Sequence, residues 1–153
     1  MVEPARLREY SLFGGLLEGQ IQQILPLMET VRYRAREEII QEGTPNDKIR
    51  FILEGRIEIV KGGVKLAEFG VGETFGEMEV LDVMPSVATV RALTDTAVLS
   101  ISNRNLRDIY KADLQCFSLM IMNLARDLSR KLRHMDERAE EESRETAPPE
   151  KTA

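Results

Sequence analysis

Residues 31–102 form a succession of short segments rich in β-branched residues, at 31–40, 49–55, 56–61, 64–69, 87–92 and 97–102, separated by Gly, Pro, Asn or Asp. No helix of ordinary length fits between neighbouring segments, which argues against a parallel βαβ layout. Five to seven short strands spaced this closely close most naturally as an antiparallel sandwich or jelly roll. Lys61-Gly62-Gly63-Val64 reads as a hairpin turn, because both glycines take positive φ without steric cost.

The flanks have a different period. Leu16, Ile21, Ile24, Leu25 and Met28 fall on one helical face within a helical region at 4–30, which Gly14-Gly15 divides and Pro26 kinks. After the strands, Ser102 or Asn103 can cap a short helix and Asp113 a longer one, giving C-terminal helices over 103–140. In the longer helix Phe117, Ile121, Leu124 and Leu128 recur three and four apart and Met135 follows one heptad on, with Leu114 before them and Leu132 beside the seam. Such a stripe either packs wholly on its own barrel or needs a partner for its outer half. The expectation is a homodimer through this helix. The fold class is therefore α+β, mainly β: an antiparallel β-roll or jelly roll (31–102) flanked by N-terminal helices and a long C-terminal helix. Residues 1–140 make one domain and 141–153 an acidic, disordered tail.

Composition narrows the chemistry. Cys116 and His134 are the only residues of their types, too few for a disulfide framework or a structural zinc site, and they fit a reducing, cytoplasmic setting. No serine–histidine or carboxylate pairing stands out, so no enzymatic role is expected. The N-terminus lacks an apolar secretory segment and no run reaches the roughly 20 residues of a membrane helix. Of the net charge of −5, residues 136–153 carry −4, preceded by a small basic block of Arg126, Arg130, Lys131 and Arg133 around Asp127. A solvated helix face accounts for that block better than nucleic-acid binding does.

Residues 70–90 are the most informative stretch: a glycine-punctuated turn, a short run (77–82) fit for one or two helical turns, and a proline-led return to a strand. A glycine before a helical turn opens backbone N–H groups to an anion, although such a turn equally serves only to reverse the chain.

Phe75-Gly76-Glu77-Met78 followed by Pro85-Ser86-Val87-Ala88-Thr89-Val90 resembles the phosphate-binding cassette of cyclic nucleotide-binding domains, as in catabolite activator proteins and regulatory subunits of cAMP-dependent protein kinase. Leu12-Phe13, Glu42-Gly43, Ile52-Leu53-Glu54-Gly55 and Gly72-Glu73 fit the same frame, so the resemblance spans residues 12–132. It implies a β-roll of about eight strands and a last helix that often dimerises. It also implies a pocket lined by Gly76, Glu77, Met78, Glu79, Ser86, Val87, Ala88 and Thr89, with Glu77 on the ribose 2′-hydroxyl and cAMP or cGMP as ligand. Three positions depart from the family pattern. Glu79 stands where a small residue approaches the phosphate, Ser86 where an arginine pairs with it, and Val87 where a small residue is usual. Arg50 and Arg91 are the other candidate cations, each expected to be exposed. The sequence thus reads as a regulatory module impaired in ordinary cAMP or cGMP binding, acting through dimerisation or protein partners, without direct sequence-specific DNA binding. The alternative is a genuine cyclic-nucleotide sensor with a pocket of altered chemistry.

Overall fold

Eight strands replace the six segments of the sequence, because the first segment is broken in two and a two-residue strand, Thr74–Phe75, forms outside all six. Residues 31–40 do not form one strand: β1 (Glu29–Tyr33) ends at a turn where Arg36 takes φ 71°, and β2 (Glu38–Ile40) continues in the other sheet. The remaining strands are β3 (Lys48–Glu54), β4 (Ile57–Lys61), β5 (Val64–Phe69), β6 (Thr74–Phe75), β7 (Thr89–Ala92) and β8 (Thr96–Ser102). They build two four-stranded antiparallel sheets, ordered β1-β8-β3-β6 and β2-β7-β4-β5. The β4–β5 hairpin turns through Gly62 (φ 56°) and Gly63 (φ 80°) with Lys61 opposite Val64, as expected. This computed structural model describes residues 2–146.

The helices are α1 (Pro4–Leu7), α2 (Glu18–Ile24), α3 (Glu77–Asp82), α4 (Asn103–Ala112) and α5 (Leu114–Thr146), with 3-10 turns at Ser11–Phe13 and Leu25–Leu27. Pro26 sits in the first turn of the latter, where its missing N–H is harmless. Ser102 caps α4, its Oγ accepting from the Asn105 N–H at 3.0 Å, and the Asp113 carboxylate accepts from the Cys116 N–H at 3.1 Å. That bond holds the Asp113 carboxyl below its ordinary value. Burial, with Asp113 beside it, pushes the free Cys116 thiol up to about 12, so it packs as a protonated apolar group. Helix α5 runs six residues beyond the expected end at 140. Residues 136–146 contain neither Gly nor Pro, and Glu140 pairs with Arg144 one turn on. The start of the acidic tail is thus helical, and its remainder, 147–153, lies outside the described residues. Among the described residues no helix is long and apolar enough to cross a membrane.

Two apolar clusters share the β3–β8 pair. Ile49, Phe51, Leu99 and Ile101 point outward to meet Leu12, Phe13, Ile21, Ile109, Met120 and Leu124 of the helices, with Phe51 edge-on to Phe13 at 5.2 Å. Ile52 and Val98 point inward and join Ile40, Ile57, Phe75 and Val90 between the sheets. Both faces of β3 and β8 are covered, so burial runs continuously through the middle of each strand and does not alternate.

Candidate functional site

Gly76 sets the site's geometry. It follows β6 with φ 83° and opens α3, and a Cβ there would lie 2.7 Å from the Lys48 carbonyl and 2.9 Å from Asn46 Nδ2. Gly76→Ala is therefore expected to cost roughly 1–3 kcal/mol of stability from left-handed strain alone. Urea unfolding monitored by circular dichroism measures the loss. An unchanged midpoint would mean that the turn can rearrange.

Asn46 secures this turn from across the sheet. Its Nδ2 donates to the Gly76 and Lys48 carbonyls, both at 3.0 Å, while its Oδ1 accepts from the Lys48 N–H and from Arg50 Nη1 at 2.9 Å. Lying between Pro45 and Asp47, Asn46 looks in sequence like an ordinary turn residue.

Glu77 heads α3 and is 4% exposed. Its carboxylate accepts from Lys131 Nζ at 2.7 Å; the same ammonium donates to the Thr74 carbonyl at 2.8 Å and lies 4.7 Å above the Phe69 ring. Lys131 comes from α5 and belongs to the basic block that the sequence assigns to a solvated face; here it is the counter-ion of the cassette glutamate. Ser86, 5% exposed, is held on both backbone sides, its N–H donating to the Thr44 carbonyl and its carbonyl accepting from the Gly43 N–H. Its hydroxyl donates to the Ala88 carbonyl at 2.7 Å. Thr89 Oγ1 accepts from the Glu42 N–H.

The eight expected pocket residues therefore separate. Gly76, Glu77, Ser86 and Ala88 sit at the turn and its return, and Thr89 is half-buried at the start of β7; Glu79 is half-buried on α3 without an ion pair among the described residues; Met78 and Val87 are exposed. The two other arginines diverge. Arg91 is half-exposed on the outer face of β7 and pairs with Glu38 and Glu58. Arg50, against the expectation of an exposed side chain, is 7% exposed. It shares the inward face of β3 with Ile52, opposite Ser100 and Phe75.

On α5 the core-facing side is Cys116, Met120, Asn123 and Leu124. Leu124 is thus spent on this chain's own core, whereas Phe117, Ile121 and Leu128 are half-buried and Leu114, Leu132 and Met135 are exposed. Among the described residues no group of three or more His, Cys, Asp or Glu side chains could hold a metal ion.

The sequence pattern of the cyclic nucleotide-binding domain matches residues 30–113. Glutaminase 2 of Bradyrhizobium diazoefficiens is 31% identical over 131 residues, covering 85% of this chain and 21% of that protein. The Thermus thermophilus catabolite activator protein superposes with a TM-score of 0.75 at 27% identity, over 87% of this chain and 63% of that one. The regulatory subunit of a cAMP-independent protein kinase A from Trypanosoma brucei does so with a TM-score of 0.66 at 25% identity, over 79% and 44%. The chain spans about a tenth to a quarter of the length of the curated relatives it matches.

Proposed function

This chain belongs to the cyclic nucleotide-binding domain family, and from the contacts of its cassette we propose a regulatory module whose binding of ordinary cAMP or cGMP is impaired. The observation that carries this reading is Ser86. It is buried, uncharged and already donating its one hydroxyl proton to Ala88, so the cassette offers a cyclic phosphate no cation. Glu77 adds to it, because a ribose hydroxyl approaching that carboxylate meets Lys131 there first. Titration calorimetry with cAMP and with cGMP tests the proposal, and a micromolar dissociation constant for either overturns it. The name of the Trypanosoma brucei neighbour, a regulatory subunit of a cAMP-independent kinase, supports the idea that this fold can regulate without cAMP. Glutaminase chemistry is not carried over, since the match covers 21% of that enzyme.

In this reading the unit comprises residues 1–140, resides in the cytoplasm, and acts as a homodimer through α5 or by docking a protein partner. Leu132 and Met135, 62% and 65% exposed, support an intermolecular role, because they continue the stripe after it leaves the chain's own core. Replacing both with Asp should convert a dimer to a monomer with little loss of unfolding free energy. Size exclusion with multi-angle light scattering reads the mass directly, and a native chain that elutes as a monomer at all concentrations removes the dimer from the proposal.

A further inference from the structure

Arg50 is a buried cation without an anion. Among the described residues no carboxylate lies within 4.0 Å of it, and its one hydrogen bond is the neutral contact from Nη1 to Asn46 Oδ1. Its Nε is fully buried and has no partner at all. A guanidinium cannot shed its proton to escape this position, and an unpaired buried charge is strongly unfavourable unless something offsets it.

Arg50 also lines a cavity of about 330 Å³ formed by β2, the 41–47 loop and β3. Four charged residues border it. Glu38 is engaged by Arg91 at 3.4 Å and Asp47 by Lys48 at 3.4 Å, which leaves the Arg50 charge as the unbalanced one. Asn46 ties this guanidinium to the Gly76 carbonyl, at the start of the cassette that lacks its own arginine. The depression is half open to solvent and polar in its lining, which suits a charged group more than an apolar one, and a planar guanidinium fork matches the oxyanion of a phosphate group.

We infer that Arg50 is the anion-binding residue of this chain, taking the phosphate of a small phosphorylated ligand in the cavity between β2 and β3. The inference deepens the proposed function and rests on its reading that the cassette has given up its phosphate cation. The shared chemistry is a phosphate oxyanion, whether of inorganic phosphate, an acyclic monoester or a cyclic diester.

The test titrates inorganic phosphate, 5′-AMP, cAMP and cGMP into the full chain and into its Arg50→Gln and Arg50→Lys variants, by calorimetry and by thermal shift. At least one probe should bind the native chain, tenfold or more weaker to Arg50→Gln, with Arg50→Lys between them. Ligand-free Arg50→Gln should melt no lower than the native chain, since an unpaired charge has been removed. Binding of inorganic phosphate or 5′-AMP alone, lost in Arg50→Gln, upholds both this inference and the proposed function. Micromolar cAMP or cGMP binding lost in Arg50→Gln upholds Arg50 and overturns the proposed function. If no probe binds the native chain, the Arg50 site is overturned while the reading of the cassette stands. Affinity that Arg50→Gln leaves unchanged also overturns the Arg50 site. Should Arg50→Gln fold poorly, Arg50→Lys supplies the same comparison, and affinity unchanged in it overturns the site equally.

Discussion

The double variant Ser86→Arg, Glu79→Ala is expected to bind cAMP or cGMP at least about a thousandfold more tightly than the native chain, a gain of roughly 4 kcal/mol. Two contributions add toward that figure. A guanidinium meeting a phosphodiester makes a charge-assisted contact worth about 1.5–3 kcal/mol, where Ser86 has no free proton to give. Removing Glu79 takes away a half-buried carboxylate from α3, which, where the side chain turns to within about 4 Å of the phosphate, costs up to about 4 kcal/mol at an effective dielectric near 20. The backbone favours the substitution: Ser86 is fixed on both sides by the Gly43 and Thr44 peptide groups, so the new side chain starts from a held Cα. Ser86→Arg alone should recover only part of the gain, and the two changes should not be strictly additive because both act on one phosphate. Calorimetry on the native chain, both single variants and the double variant decides the matter. A double variant no tighter than the native chain would show that loss of the cassette cation is not what sets affinity here.

What the sequence discloses about this fold follows the range of the interactions involved. The β4–β5 hairpin is legible because its cause lies in two adjacent glycines. The Ser102 and Asp113 caps are legible because each acts on an N–H three residues away. The sheet switch between β1 and β2 is not, since a positive φ at Arg36 has no compositional mark. The direction of Arg50 is hidden for a different reason. Alternation reveals a strand's facing only when one face meets water, and β3 is covered on both. On α5 the heptad stripe identifies apolar residues but not the face that meets the core. That face includes Asn123, whose Nδ2 donates to the Leu12 and Gly14 carbonyls and so anchors the N-terminal segment with a polar side chain that a hydropathy count discards. The cassette itself stands out as a motif, but the partner of its glutamate lies 54 residues further along.

That partner is the basis of the second large effect. Lys131→Met is expected to destabilise the chain by about 3–5 kcal/mol, the usual cost of leaving one member of a buried ion pair behind. For a chain of this size that lowers the thermal midpoint by roughly 6–20 °C. Glu77 is the member that would be stranded: its side chain is 5% exposed, whereas Lys131 retains 29% and gives up less hydration. The methionine keeps the apolar stem over Phe69 but loses the ammonium from that ring, from the Thr74 carbonyl and from Glu77. Adding Glu77→Gln to Lys131→Met should restore most of the lost stability, because a neutral amide is far cheaper to bury than an unpaired carboxylate. The asymmetry between single and double variants distinguishes an ion pair from simple packing, which would make the second change additive or worse. The same pair is the link between α5 and the cassette. A ligand group that approached Glu77 would meet Lys131 already on that carboxylate. A Lys131→Met chain that melts within a degree of the native one would show that Glu77 tolerates its site unpaired, and that the apolar face of α5 and its other polar contacts, such as those of Asn123, hold the helix without this pair.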